Sequence, residues 1–186
     1  MDKINKKKEI IKLARESIKS RFYGNSNKKV RVPDDKFLKE KRGCFVTLTK
    51  HNELRGCIGF PYPVLPLGEA IISAAKSAAF SDPRFPQLSE KEIPEIKIEI
   101  SILSVPEEIK CRNEYFSENI KIGKDGLICS YEGFSGLLLP QVATEYNWNA
   151  EQFLRQLCGK AGLPLNTWQE KGFKLWKFQA EIIKEN

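Results

Sequence analysis

The sequence predicts an α+β fold, a mostly antiparallel or mixed sheet packed with helices. Three observations lead to it. Strand patterns outnumber helical ones, strands pair off across short turn-forming stretches, and no regular strand–helix alternation runs along the chain. A chain of 186 residues is long enough for one ordinary domain or two small lobes around a shared core.

The elements follow in order. Ile10, Leu13, Ala14 and Ile18 recur at helical spacing, so residues 5–22 read as an amphipathic helix, with Gly24 placed to stop it. Residues 24–36, GNSNKKVRVPDDK, form a polar connection. CFVTLT, from Cys44 to Thr49, is rich in β-branched and aromatic residues and reads as a strand. KHNE is a turn, and the stretch from Leu54 to Gly59 returns as the second arm of a hairpin, with Arg55 and Cys57 on one face of that arm. Pro61, Pro63 and Pro66 end it.

Leu67, Ala70, Ile71, Ala74, Ala75 and Ala78 form a helical stripe whose alanines allow close packing on a sheet. FSDPRFPQLSE, from Phe80 to Glu90, is a loop because of its two prolines. EIKIEISIL, from Glu95 to Leu103, puts Ile96, Ile98, Ile100 and Ile102 on one strand face and Lys97, Glu99 and Ser101 on the other. Leu127–Ser130 and Gly136–Leu139 make a hairpin closed by YEGFS. Gln141–Tyr146 is a short helix. Asn149 and Gln152 have the spacing of a capping box opening a helix with Phe153, Leu154, Leu157, Cys158 and Ala161 inward. Gly162 and Pro164 mark its end, and residues 173–183, with Trp176, Phe178, Ala180 and Ile182 alternating, form a last strand.

Composition narrows the function. With 41% hydrophobic and 30% charged residues the chain has a globular balance. No apolar run approaches the ~20 residues of a membrane helix. The charged start does not read as a secretory signal, so a cytoplasmic location and no membrane partner are expected. Cys44, Cys57, Cys111, Cys129 and Cys158 are odd in number and lack C-x-x-C spacing, which argues against a disulfide framework and against a zinc motif. One histidine excludes a His-rich metal site, and no metal or cofactor is expected. The net charge is +7, and residues 1–42 alone carry +9. Such a segment would attract phosphate or an acidic partner. A solvated helix face is favoured over a nucleic-acid site, because the lysines are not interleaved with exposed aromatics.

Three stretches carry candidate chemistry. In LRGCIGF, Arg55 would lower the pKa of the Cys57 thiol, and His51, six residues back, would approach as a base. The ordinary alternative is a small buried cysteine. In SDPRF, Asp82 and Arg84 form either a local ion pair in a turn or, through Arg84, an anion clamp. GFSGLLLPQ offers glycines near a ligand, but no Gly-Lys-Ser/Thr follows, and the G-x-G-x-x-G and G-x-S-x-G signatures are absent from the chain.

In this order, LRGCIGF, FSDPRFPQLS, EIKIEISIL, GLLLPQVATEYNW and FLRQLCGKAGLP followed by Trp168 resemble the AMMECR-one family. That family is named for a contiguous-deletion syndrome that includes Alport syndrome, midface hypoplasia and elliptocytosis. The match runs from Gly43 to Ile183, so the whole chain reads as a single AMMECR-one-like domain with a basic helix and linker over residues 1–42 and a motif-bearing core over 43–186. The resemblance implies a fold of two unequal lobes with a cleft between them, and an activity that is not settled. It implies a functional site at the hexapeptide from Leu54 through Ile58 to Gly59. It also implies partners, Memo-type and radical SAM proteins, beside which this chain would be the first component alone. The expected roles are Cys57 as nucleophile with Arg55 and His51 assisting, and Gly56, Gly59, Asp82 and Arg84 binding substrate, as in a cysteine-dependent transferase or hydrolase. The alternative is a non-catalytic module that binds protein or RNA through the basic amino-terminal segment.

Overall fold

Cys44, Val46 and Leu48 are fully buried, and Phe45, Thr47 and Thr49 between and after them are half-exposed. That alternation builds the first of two units seen in the computed structural model, which describes residues 3–22 and 30–185. The units comprise Met1–Ile102 with Glu181–Asn186, and Leu103–Ala180.

The first unit contains helices α1 (Lys3–Lys19), α2 (Lys36–Lys39) and α3 (Leu67–Phe80), strands β1 (Cys44–Lys50), β2 (Glu53–Phe60) and β3 (Ile96–Leu103), and a late strand, β8 (Ala180–Lys184). Its sheet runs β2-β1-β3-β8, so β2 is an edge. β1 is antiparallel to both neighbours. Cys44, Val46 and Leu48 of β1 and Ile96, Ile98, Ile100 and Ile102 of β3 point into one core, as the period of two requires. α3 packs on β1 and β2, and α1 packs on α3. The alanine stripe of α3 is fully buried, and Ile10, Leu13, Ala14 and Ile18 of α1 face the same core. Ser101, expected on the outer face of β3, is also buried. The position expected to stop α1, Gly24, lies outside the described residues.

The second unit contains β4 (Glu107–Glu108), β5 (Gly126–Tyr131), β6 (Phe134–Leu138), α4 (Pro140–Glu145), α5 (Ala150–Lys160) and β7 (Lys174–Phe178). Its sheet runs β4-β7-β5-β6, with antiparallel pairs throughout. The capping box at α5 forms as its spacing predicts. The Gln152 N–H donates to Asn149 Oδ1 at 2.9 Å, and the Asn149 N–H donates to Gln152 Oε1 at 3.0 Å. Phe153, Leu154, Leu157 and Cys158 then close over Leu127, Cys129 and Leu175.

The last strand expected over residues 173–183 is two strands, and they belong to different sheets. The break is Gln179, whose N–H donates to Ser104 Oγ at 2.9 Å while its carbonyl accepts from the Ser104 N–H at 2.8 Å. The change of sheet resets the inward phase. Phe178 is buried, but Ile183 rather than Ile182 fills the next core.

Candidate functional site

The β1–β2 hairpin closes through a two-residue turn at His51 and Asn52, both with left-handed backbone (φ 52° and 66°). Such turns match the twist of paired strands. Counting back from it, an unbroken ladder would put Arg55 opposite the buried Leu48 and drive an arginine into the core. The register instead slips between Leu48 and Thr49, so Leu48 faces Gly56 and Arg55 is the extra residue of a β-bulge. Beyond the bulge, Cys57 stands opposite Thr47.

Gly56 faces inward, onto α3. A Cβ there would lie 2.1 Å from the Ala78 carbonyl oxygen, so the helix backbone rests directly on this glycine. A Cβ on Gly59 would lie 2.3 Å from the Cys44 carbonyl oxygen and 2.5 Å from the Phe45 ring. The space that both glycines leave is filled by the protein's own atoms; they serve packing in this unit.

Cys57 is on the opposite face of the sheet, half-buried. Its Sγ lies 3.2 Å from Thr47 Oγ1. Because β2 is an edge, the Cys57 backbone groups have no strand beyond them, and the loop after α3 takes that place. The Cys57 N–H donates to Asp82 Oδ2 at 2.8 Å, and the Cys57 carbonyl accepts from Arg84 Nη2 at 3.1 Å. An unpaired edge is thereby capped by a carboxylate and a guanidinium. Asp82 is a buried residue that also accepts from the Arg84 backbone N–H at 3.1 Å, from Nε at 2.9 Å and from Nη2 at 2.7 Å. The Arg84 side chain holds the Asp82 carboxyl well below the usual carboxylate range against the opposing effect of burial, and the Cys57 and Arg84 N–H groups add to it. The Arg84 side chain itself is 52% exposed. The local ion pair and a cation beside Cys57 are therefore the same feature.

Arg55 goes elsewhere. Its Nε donates to Glu92 Oε1 at 2.9 Å, its Nη2 to Glu92 Oε2 at 3.2 Å, and its Nη1 to the Pro86 carbonyl at 3.0 Å. All three guanidinium nitrogens are engaged in tying the loop to β2, so the cation expected beside the thiol is directed to Glu92 and the Pro86 carbonyl. Glu92 also accepts from the Ser89 backbone N–H at 3.0 Å and from the Ser89 hydroxyl at 2.9 Å. Arg55 first and Ser89 second bring the Glu92 pKa down to about 2 against burial. His51 also lies apart from the thiol. It sits at the hairpin tip, four residues past Thr47 on β1, about 13 Å along the strand at ~3.3 Å per residue. Its Nε2 lies 3.5 Å from Glu95 Oε2, and its side chain is 75% exposed.

Sequence reasoning missed two residues that share a row with the thiol. Thr47 is in contact with it, and Glu99 of β3 pairs with Thr47 on the far side, so Cys57, Thr47 and Glu99 form one row across three strands. Lys184 Nζ lies 2.8 Å from Glu99 Oε2. The signal for this row was the bulge, since the unbulged count places Val46 opposite Cys57. The other thiols differ in environment. Burial pushes Cys44 up to about 12 and Cys129 up to about 11, and raises Cys158, while Cys111 is exposed. Among the described residues no group of three or more His, Cys, Asp or Glu side chains converges as a metal site. No helix there is long and apolar enough to cross a membrane.

Comparison with known proteins agrees with these motifs. The chain is similar to protein MJ0810 of Methanocaldococcus jannaschii, 52% identical over 149 residues that cover 78% of this chain and 74% of the relative. It is similar to protein TV1384 of Thermoplasma volcanium, 48% identical over 87% of this chain and 81% of the relative. The crystal structure of the uncharacterized protein PH0010 from Pyrococcus horikoshii superposes with a TM-score of 0.85 at 44% identity, over 96% of this chain and 90% of that one. The AMMECR1 family model matches residues 11–183, and the chain belongs to the AMMECR1 family.

Proposed function

We propose that the protein is a cysteine-dependent group-transfer enzyme, or the component of one, acting on a small molecule or a modified protein group that carries a negative charge. The observation that carries this reading is the Cys57 thiol, half-buried on the outer sheet face and 3.2 Å from a hydroxyl, in a residue whose carbonyl accepts from the half-exposed Arg84. Asp82 and Arg84 fix the Cys57 backbone, and the Thr47 hydroxyl holds the sulfur. In the step, the Cys57 S–H bond breaks as a bond forms from sulfur to an electrophilic carbon. The bond from that carbon to its leaving group breaks, and the proton reaches the leaving group by way of the Thr47 hydroxyl. Arg84 binds the anionic part of the substrate. In this reading the Memo-type and radical SAM partners implied by the resemblance donate or accept the transferred group.

The test is covalent capture. The protein is incubated with a panel of acyl thioesters of small carboxylic acids, with and without a second carboxylate, and adducts are mapped by peptide mass spectrometry. The expected result is labelling at Cys57 in preference to the exposed Cys111, slowed in Arg84→Ala and Thr47→Val. Labelling of Cys111 ahead of Cys57 across the panel removes the proposal.

A further inference from the structure

A second feature of the first unit lies apart from Cys57. Along α1, Lys8, Lys12, Arg15 and Lys19 follow one another at steps of four, three and four residues, so they share one helix face. Eleven residues at ~1.5 Å rise extend this row over about 16 Å. Lys184 and Glu185 at the end of β8 form the facing wall of a groove of 530 Å³, with Ile11 and Arg15 among its lining. Among the described residues six basic and two acidic side chains line it, a difference of +4.

Both acids are already engaged from within. Arg15 Nε donates to Glu185 Oε1 at 2.7 Å, and Glu185 Oε2 accepts from the Ile98 N–H at 3.1 Å. Arg15 also donates to the Ile93 and Ile96 carbonyls at 2.9 Å. This knot anchors the floor. Glu16 lies 3.7 Å from Lys12. Lys8 and Lys19 make no ion pair among the described residues. Lys7 and Lys184 are held by Glu181 at 3.8 Å and Glu99 at 2.8 Å, so Lys8 and Lys19 supply the uncompensated ammonium groups around an internally neutralised base.

We infer that this groove binds a short run of phosphates, two or three linked groups, either free or as the tail of a nucleotide. Its volume lies in the range of small-ligand sites, roughly 300–1,000 Å³. Lysines are mobile point charges that suit the several oxygens of a phosphate chain. Among the described residues the lining contains no aromatic ring on which a base would stack, so recognition rests on the phosphates and not on bases of a single strand. The charge complementarity is local and does not involve Cys57.

Isothermal titration calorimetry with inorganic tripolyphosphate, and separately with ATP, tests it. Saturable one-to-one binding is expected at about 50 mM salt, weakening steeply by about 200 mM. The double variant Lys8→Glu/Lys12→Glu, at two exposed positions, should bind at least about tenfold more weakly, since two attractions become repulsions. Lys110→Glu in the second unit should bind as the wild type does. Equal affinities assign the site to the phosphate chain alone, and tighter ATP binding assigns it to a nucleotide. Absence of saturable binding at the lower salt overturns the proposal. So does wild-type affinity in a double variant whose circular dichroism is unchanged, or an RNA oligonucleotide that binds and is not displaced by tripolyphosphate.

Discussion

Glu92→Gln separates a structural Arg55 from a substrate-binding one. Arg55 and Glu92 are 12% and 18% exposed in their side chains and meet through two hydrogen bonds. Arg55, with the Ser89 N–H and hydroxyl, brings the Glu92 pKa from 4.5 to about 2 against burial. A shift of this size corresponds to roughly 3 kcal/mol of stability at neutral pH, at ~1.36 kcal/mol per pKa unit, and the residual contact with water makes that an upper figure. The sign follows from the depressed value. The stabilisation is complete above the unfolded pKa and is lost as pH falls through the folded one. Urea unfolding at pH 7 should show the Gln variant about 2–3 kcal/mol less stable, because one donor of Arg55 or Ser89 then faces an amide. By pH 3 the difference between the proteins should shrink to about half, because the unfolded wild-type carboxyl has already taken up its proton. A difference below about 0.5 kcal/mol at pH 7, or one that is the same at both pH values, refutes the assignment and returns Arg55 to the candidates for substrate binding.

Other outcomes follow from the same contacts. Asp82→Asn leaves Arg84 without its buried anion and should cost about 2–4 kcal/mol at pH 7 by urea unfolding; because the Asp82 pKa is depressed, the penalty is expected to persist at all pH above the ordinary carboxylate range and fade below it. Gly56→Ala places a methyl 2.1 Å from the Ala78 carbonyl oxygen, and a loss of about 3 kcal/mol or more is expected in thermal unfolding, with α3 displaced; a variant that melts with the wild type would show that the helix does not rest there. His51→Gly relieves a left-handed residue and should be neutral to stabilising by up to about 1 kcal/mol, with no change in labelling at Cys57. In iodoacetamide labelling, Cys111 and Cys57 should react in the folded protein, and Cys44, Cys129 and Cys158 only after denaturation.

Much of the fold was legible because its elements carry strong periodicity. The isoleucines of β3, the alanines of α3 and the capping box of α5 each specify a local structure that tertiary packing did not overrule. What was not legible depended on pairing across the chain. The stretch from Lys174 to Lys184 has continuous strand character, and nothing local marks Gln179 as the point where one sheet ends, since the partner that breaks it, Ser104, is 75 residues away. In the same way Glu92, which claims Arg55, is 37 residues from it.

The bulge in β2 is the point where fold and site meet. Packing demands that Leu48 and Gly56 face α3 together, one as a buried side chain and the other as bare backbone. A hairpin fixed at His51 and Asn52 can satisfy that demand only by taking up one extra residue, and the residue taken up is Arg55. Its guanidinium then reaches the loop beyond α3, while the register shift turns Cys57 to the outer face opposite Thr47. The same loop returns Asp82 and Arg84 to the exposed edge at Cys57. Thus Gly56, Arg55 and Cys57 are linked by one geometric requirement. A change at the glycine would move the thiol without touching the sulfur, and loss of labelling at Cys57 in a folded Gly56 variant is to be read as displacement of the thiol, not as loss of a binding contact.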